Sequence, residues 1–271
     1  MMFIKTTESD SLYTNLENKS TIELLTEINN EDAKVHCAIQ QKLKDIEQCV
    51  DALVKAWNNG GRLFYIGSGT SGRLGIVDAS ECPPTFGVPA DMVIGIIAGG
   101  DAAIRQAQEG AEDSIKNGVT DLKNHAISST DIVLGLTASG TTPYVISTLQ
   151  WCKKNNIKTA SISCNADSPV SEFADYPIEI IVGPEYVTGS TRMKAGTAQK
   201  LVLNMITTAG MIKLGRVLGN KMVNMQLSNA KLVQRGAKML MDRFGWEKEL
   251  ALQKLTELGS VRAVIDKEDL D

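Results

Sequence analysis

The chain has 271 residues, 43% hydrophobic and 22% charged, enough apolar material for an enzyme-sized globular core in one large domain or one plus an appendage. A net charge of −4 and a pI near 5.4 exclude a general attraction for nucleic acid or an anionic membrane, so any phosphate site must be local. Cysteines 37, 49, 82, 152 and 164 form no C-x-x-C pair, only His36 and His125 could add soft ligands, and charge begins at Lys5 and Glu8; no metal, no membrane partner and a cytoplasmic protein with free thiols are expected.

The first predicted elements are helices. From Thr21 to Asn58 apolar residues recur three and four apart, among them Val35, Ile39, Leu43, Ile46, Val50, Leu53 and Val54, the spacing of long amphipathic helices. Residues 1–58 hold six Lys against ten acidic residues, which argues against a DNA-binding headpiece and for a helical arm that packs on a second subunit.

An apolar strand, Leu63–Ile66, then enters Gly67-Ser-Gly-Thr-Ser-Gly72 and a helix. Gly67, Gly69 and Gly72 permit a tight turn, and free N–H groups, the hydroxyls of Thr70 and Ser71 and the helix dipole together cradle a phosphate. The candidate contacts here are Ser68, Gly69, Thr70 and Ser71. The glycines also satisfy the G-x-G-x-x-G dinucleotide fingerprint, but its acid, due about 20 residues on at the end of the second strand, is poorly placed. Asp91 precedes the predicted strand Met92–Ala98, and Asp101 lies late. Pro83 and Pro84 predict that the helix stops at Glu81, holding a rigid carboxyl beside the cradle as a possible acid.

Residues Asp101–Ser114 read as a helix with Glu109 and Glu112 on one face; Glu112 can simply pair with Lys116, and spacing does not choose between the two glutamates as a base. The strand Ile132–Leu136 runs into Thr137-Ala-Ser-Gly-Thr-Thr-Pro143, an echo of the first loop. Ser139, Gly140, Thr141 and Thr142 either close on the same phosphate or merely cap the helix at Pro143. The echo favours a sugar phosphate over a dinucleotide.

Strands near 158–164 and 178–182 complete a βα alternation of near-continuous apolar strands. It predicts an α/β fold: a three-layer αβα with a parallel, flavodoxin-like sheet and both loops at its carboxyl edge. The polar segment Thr188–Lys200 presents Ser190, Thr191, Arg192 and Lys194 to an anion, or is a long capped loop. From Gly196 the pattern turns helical again. The expected division is an N-terminal helical arm at 1–58, the α/β domain at 59–222 and a small C-terminal helical appendage at 223–271.

Taken together, GSGTSGRLGIVDASECPPTFGVP, IAGGD with EGAEDS, ASGTTPY, SISCNADSP and VTGSTRMKAGTAQKLVLNM resemble the N-acetylmuramic acid 6-phosphate etherases, members of the sugar isomerase (SIS) fold group. The likeness spans residues 6 to 235, and ASECPP joined to EGAEDS is its most specific part; GSG stands where many members have G-A-G. The resemblance implies cleavage of the lactyl ether of N-acetylmuramic acid 6-phosphate to N-acetylglucosamine 6-phosphate and D-lactate in peptidoglycan recycling and amino-sugar catabolism, by a cytoplasmic homodimer that needs no cofactor. The family's two functional glutamates fall on Glu81 and Glu112, replacing the surface pairing of Glu112 and leaving Glu109 no catalytic role. In a ring-opened sugar the C1 aldehyde acidifies the C2 proton, so lactate can leave C3 by elimination and water can add back. Glu112 is assigned to the C2 proton, and Glu81 to the lactyl oxygen and the water. The rivals are an aldose-ketose isomerase of the same fold, which would release no lactate, and a non-catalytic sugar-phosphate-sensing regulatory protein.

Overall fold

Five parallel strands organise the chain in the computed structural model, which describes residues 3–270. They are β1 (Leu63–Gly67), β2 (Val93–Ile97), β3 (Ile132–Leu136), β4 (Lys158–Ser163) and β5 (Tyr176–Glu179), in the order β2-β1-β3-β4-β5. This is the flavodoxin-like order, and the chain departs in opposite directions from the neighbouring strands β1 and β3. Ligands of such sheets bind in the crevice outside the strand ends at that reversal.

Alternate strand residues point to opposite faces, and each face has its own core. Leu63, Tyr65, Leu134 and Leu136 enter one, with Ile46, Leu53 and Trp57 of α2 (Leu43–Asn58), Ala79 and Cys82 of α3 (Gly69–Phe86), and Val202 and Ile206 of α7 (Lys194–Lys213). Phe64, Ile66 and Val133 enter the other, against Leu122 of α5 (Asn117–Asn124) and Tyr144, Val145 and Leu149 of α6 (Pro143–Lys154). Burial on both faces is why these strands read as unbroken apolar runs. The first helix, α1 (Thr21–Gln40), starts in a Ser20/Glu23 capping box, and with α2 it packs on α7 of its own chain. Among the described residues no helix is long and apolar enough to cross a membrane.

Three local expectations need correction. Helix α3 does not stop at Glu81; it continues through Pro83 and Pro84 to Phe86 and ends at Gly87, whose φ is +63° and whose N–H reaches the Pro83 carbonyl at 2.9 Å. The prolines remove two donors near the helix end, where Cys82 and Phe86 are buried and the Gln226 N–H donates to the Pro84 carbonyl at 3.2 Å. The helix expected over 101–114 is only α4 (Ala102–Arg105) followed by a 3-10 turn at Ala111–Asp113, because Gln106 is extended and Gly110 is left-handed at φ +73°. Strand β5 begins two residues earlier than its apolar run, at Tyr176, since an edge strand tolerates Pro177.

The C-terminal region forms α8 (Ala230–Phe244), α9 (Lys248–Leu258) and α10 (Val261–Glu268) around a separate core that includes Leu240, Leu255 and Val264. Its leading segment lies on the end of α3: a Cβ on Gly87 would fall 1.9 Å from the Asn224 carbonyl oxygen.

Candidate active site

The β1 and β3 loops meet where the fold predicts a ligand. Gly67 is in register with Leu136, so residues 68–71 and 139–142 leave adjacent strands on the carboxyl edge of the sheet. Ser68 is the N-cap of α3 but makes no side-chain cap, and the helix start leaves the N–H groups of Gly69, Thr70 and Ser71 without intrahelical partners. The dipole of an 18-residue helix adds to their pull on an anion.

Glu112 stands at this crevice. The Ser68 hydroxyl donates to its Oε2 at 3.1 Å, and the two line a cavity of about 220 Å³ with Gly69, Arg73, Gln108 and Glu109. Arg73 fixes the opposite wall by donating to the carbonyls of Ile104 at 2.8 Å and Ala103 at 2.7 Å. The surface pair of Glu112 with Lys116 is not among the ion pairs of the described residues.

The second loop is tied into shape by its own hydroxyls. Thr137 Oγ1 lies 2.8 Å from Thr142 Oγ1, and Ser139 Oγ accepts from the Thr141 N–H at 3.2 Å and the Thr141 hydroxyl at 3.1 Å. Gly140 has φ +75°, and a Cβ there would fall 2.4 Å from Ser168 Cβ. Gly140→Ala is therefore expected to destabilise the protein by about 2–4 kcal/mol through strain and overpacking, read as a lowered midpoint in urea unfolding.

Two of the candidate phosphate contacts, Ser71 and Lys194, are placed differently from their sequence reading. Ser71 is buried with its hydroxyl turned into α7, donating to Gln199 Oε1 at 2.9 Å, so it faces the crevice with backbone alone. Ser190 uses its backbone to hold a turn, its N–H donating to the Val187 carbonyl at 2.9 Å and its carbonyl accepting from Met193 at 3.1 Å. Lys194 is turned inward rather than toward a ligand: it is 2% exposed, with Nζ 2.6 Å from Glu31 Oε2 in a buried ion pair. Burial alone would raise the Glu31 pKa, but hydrogen bonds from Lys194, Lys34 and Tyr13 hold it at about 2.

Glu81 is not beside the cradle. It lies twelve residues past Gly69 on a helix that runs back toward the amino edge of the sheet, about 18 Å along the axis at the usual rise. Its side chain is exposed and has no hydrogen-bond partner among the described residues; Val77, one turn earlier on the same face, is 55% exposed. One chain therefore brings Ser68 and Glu112 together at the crevice but does not bring Glu81 to them.

Sequence reasoning missed the residues that orient these parts. Asp78, three before Glu81, is 5% exposed and accepts from Tyr65 at 2.8 Å, Asn204 at 2.7 Å and Thr207 at 3.2 Å; burial raises its pKa despite those bonds. It fixes the rotation of α3 and so turns Glu81 outward. The signal was there: Gly75, Asp78, Ala79 and Cys82 form one buried helical stripe, and an acid within such a stripe must have partners.

Comparison with known proteins agrees with the fold. The model for the glucokinase regulatory protein N-terminal SIS domain matches residues 45–153, and that for the SIS domain matches residues 117–209. An Escherichia coli CFT073 protein, solved as a complex, superposes with a TM-score of 0.56 at 18% identity, covering 76% of this chain and 96% of that one, a likeness of fold. An N-acetylmuramic acid 6-phosphate etherase of Porphyromonas gingivalis is 56% identical over 261 residues, 96% of this chain and 95% of the relative. One of Christiangramia forsetii is 56% identical over 260 residues, with the same coverage.

Proposed function

The chain belongs to the N-acetylmuramic acid 6-phosphate etherase family, and from that premise we propose that it releases D-lactate from N-acetylmuramic acid 6-phosphate with Glu112 of one subunit and Glu81 of a second copy. The observation that carries this division is the placement of Glu112 at the crevice while Glu81 projects from the far part of α3. The sugar carbons C2 and C3 are bonded neighbours, so a base beside the start of α3 and an acid carried about 18 Å further along the axis of that helix do not serve the same molecule from one chain. The exposed Val77 and Glu81 face gives the second copy a surface to dock on.

In this reading the β1 and β3 loops hold the phosphate through the N–H groups at the start of α3, the Ser68 and Thr70 side chains and the hydroxyls of Ser139, Thr141 and Thr142. Gly69 and Gly140 let the backbone approach, and Ser190 lines the rim. With the sugar open, Glu112 takes the C2 proton, the electron pair forms the C2–C3 double bond, and Glu81 protonates the departing lactyl oxygen. Glu81 then takes a proton from water as its oxygen bonds to C3, and Glu112, its proton exchanged with solvent, protonates C2. The balance is one water consumed and one lactate released, with no added cofactor. Residues 59–222 are the chemical unit, the helices on either side support it, and the protein works in the cytoplasm on the sugar phosphate.

The test is incubation of the purified protein with N-acetylmuramic acid 6-phosphate in doubly labelled water. Lactate is expected together with deuterium at C2 and heavy oxygen at C3 of the product sugar. Deuterium at C2 without lactate would point to an isomerase; neither lactate nor label would overturn the assignment.

A further inference from the structure

The second loop has a brace that the reaction does not call on directly. Asn165, in the turn after β4, is 0% exposed, yet all its hydrogen-bonding capacity is used. Its Nδ2 donates to the carbonyls of Ala138 at 3.2 Å and Ser139 at 3.0 Å, and to Thr7 Oγ1 at 3.0 Å. Its Oδ1 accepts from the Thr6 hydroxyl at 2.9 Å and the Thr7 N–H at 3.1 Å. The N-terminal residues thereby lie across the back of the loop, and Thr7 is itself 0% exposed. The same strap continues over the loop after β5, where the Ser11 hydroxyl donates to the Tyr186 carbonyl at 2.7 Å and its N–H to Thr188 Oγ1 at 2.9 Å.

Peptide geometry says what this brace does. A trans peptide directs its carbonyl and its N–H oppositely. The Ala138 carbonyl is held inward by Asn165 and by the Cys164 N–H at 3.0 Å, so the Ser139 N–H is turned the other way, and it makes no hydrogen bond among the described residues. A buried amide thus fixes an outward-facing donor on the loop next to the crevice.

We propose that Asn165, seated by Thr6 and Thr7 of the N-terminal strap, is a positioning residue that presents the Ser139 N–H to the substrate phosphate. The proposal rests on the reading of the second loop as part of the phosphate cradle. It makes the N-terminal strap a determinant of phosphate affinity rather than a fraying end. Loss of the brace acts on binding and leaves proton transfer at the glutamates in place.

Asn165→Asp, which sets a carboxylate oxygen against two carbonyls, and Thr7→Val, which removes one acceptor at constant shape, are compared with the unaltered enzyme. KM, kcat and the inhibition constant of inorganic phosphate are measured, with thermal unfolding to establish that each variant is folded. Asn165→Asp is expected to raise KM and the phosphate constant together by about tenfold or more while kcat stays within about threefold, and Thr7→Val to raise both by about two- to threefold. Should Asn165→Asp fail to fold, Thr7→Val decides on the same constants. Folded variants whose two constants match the unaltered enzyme, or whose kcat alone falls, overturn the role of Asn165. An unaltered enzyme that turns over substrate without competition by phosphate instead overturns the cradle on which the role depends.

Discussion

Glu81→Gln and Glu112→Gln should each lower kcat/KM by about 10²–10⁴, yet an equimolar mixture of the two inactive proteins, allowed to exchange subunits, should recover about a quarter of the wild-type rate. The recovery follows from where the two side chains sit. Glu112 accepts from Ser68 at the carboxyl edge, whereas Glu81 is carried toward the amino edge by three turns of α3. If each site takes Glu112 from one subunit and Glu81 from the other, a mixed dimer has one site with both glutamates intact and one with neither. Half of randomly paired dimers are mixed, which gives the quarter. If both glutamates came from the same chain, every site in a mixed dimer would lack one and the mixture would stay inactive. Lactate release against time, measured for each variant alone and for the mixture, separates the two arrangements. Because Glu81 is exposed and makes no internal hydrogen bond among the described residues, Glu81→Gln should keep the thermal midpoint of the parent, so a lost rate cannot be ascribed to unfolding.

The separation of Glu81 from Glu112 is also where sequence and structure part most instructively. Glu81 stands close to the first glycine loop in sequence, but a helix moves about 1.5 Å per residue, so closeness in sequence is distance in space. Glu112 is far from that loop in sequence and meets Ser68 because β1 and β2 are adjacent strands whose loops share an edge. The strands themselves were legible, since burial on both faces leaves unbroken apolar runs such as Leu63–Ile66, and the two loops at the carboxyl edge were legible from glycine and hydroxyl residues between strand and helix. What was not legible depends on distant partners. The course of α3 past Pro83 is held by a donor from Gln226, and the brace on the second loop comes from Thr6 and Thr7. Local polarity around Ser190 and Lys194 pointed to a ligand, and it could not reveal that the lysine turns inward to an acid 163 positions away.

That inward turn makes Lys194→Met the most damaging substitution for stability, at about 3–5 kcal/mol and a thermal midpoint lower by roughly 10 °C. Lys194 and Glu31 are each 2% exposed, and a methionine would leave the Glu31 carboxylate buried with Lys34 at 2.6 Å and Tyr13 at 3.0 Å as its remaining partners. The loss extends to the start of α7, where Glu185 accepts the N–H groups of Lys194 and Ala195 at 2.9 Å each, and from there to Gln199, which holds Ser71. The effect should depend on pH with a definite sign. Glu31 titrates at about 2 in the folded protein, below the ordinary glutamate value of about 4.3, so the stability it contributes is present above that ordinary value and is lost as pH falls through 2. In the variant the buried carboxylate takes up a proton more readily, which relieves the unpaired charge. The gap between parent and variant should therefore be full at pH 7 and narrow below about pH 4, as measured by urea unfolding at both values. A gap of equal size at the two pH values would mean that lost packing, not the unpaired charge, accounts for it.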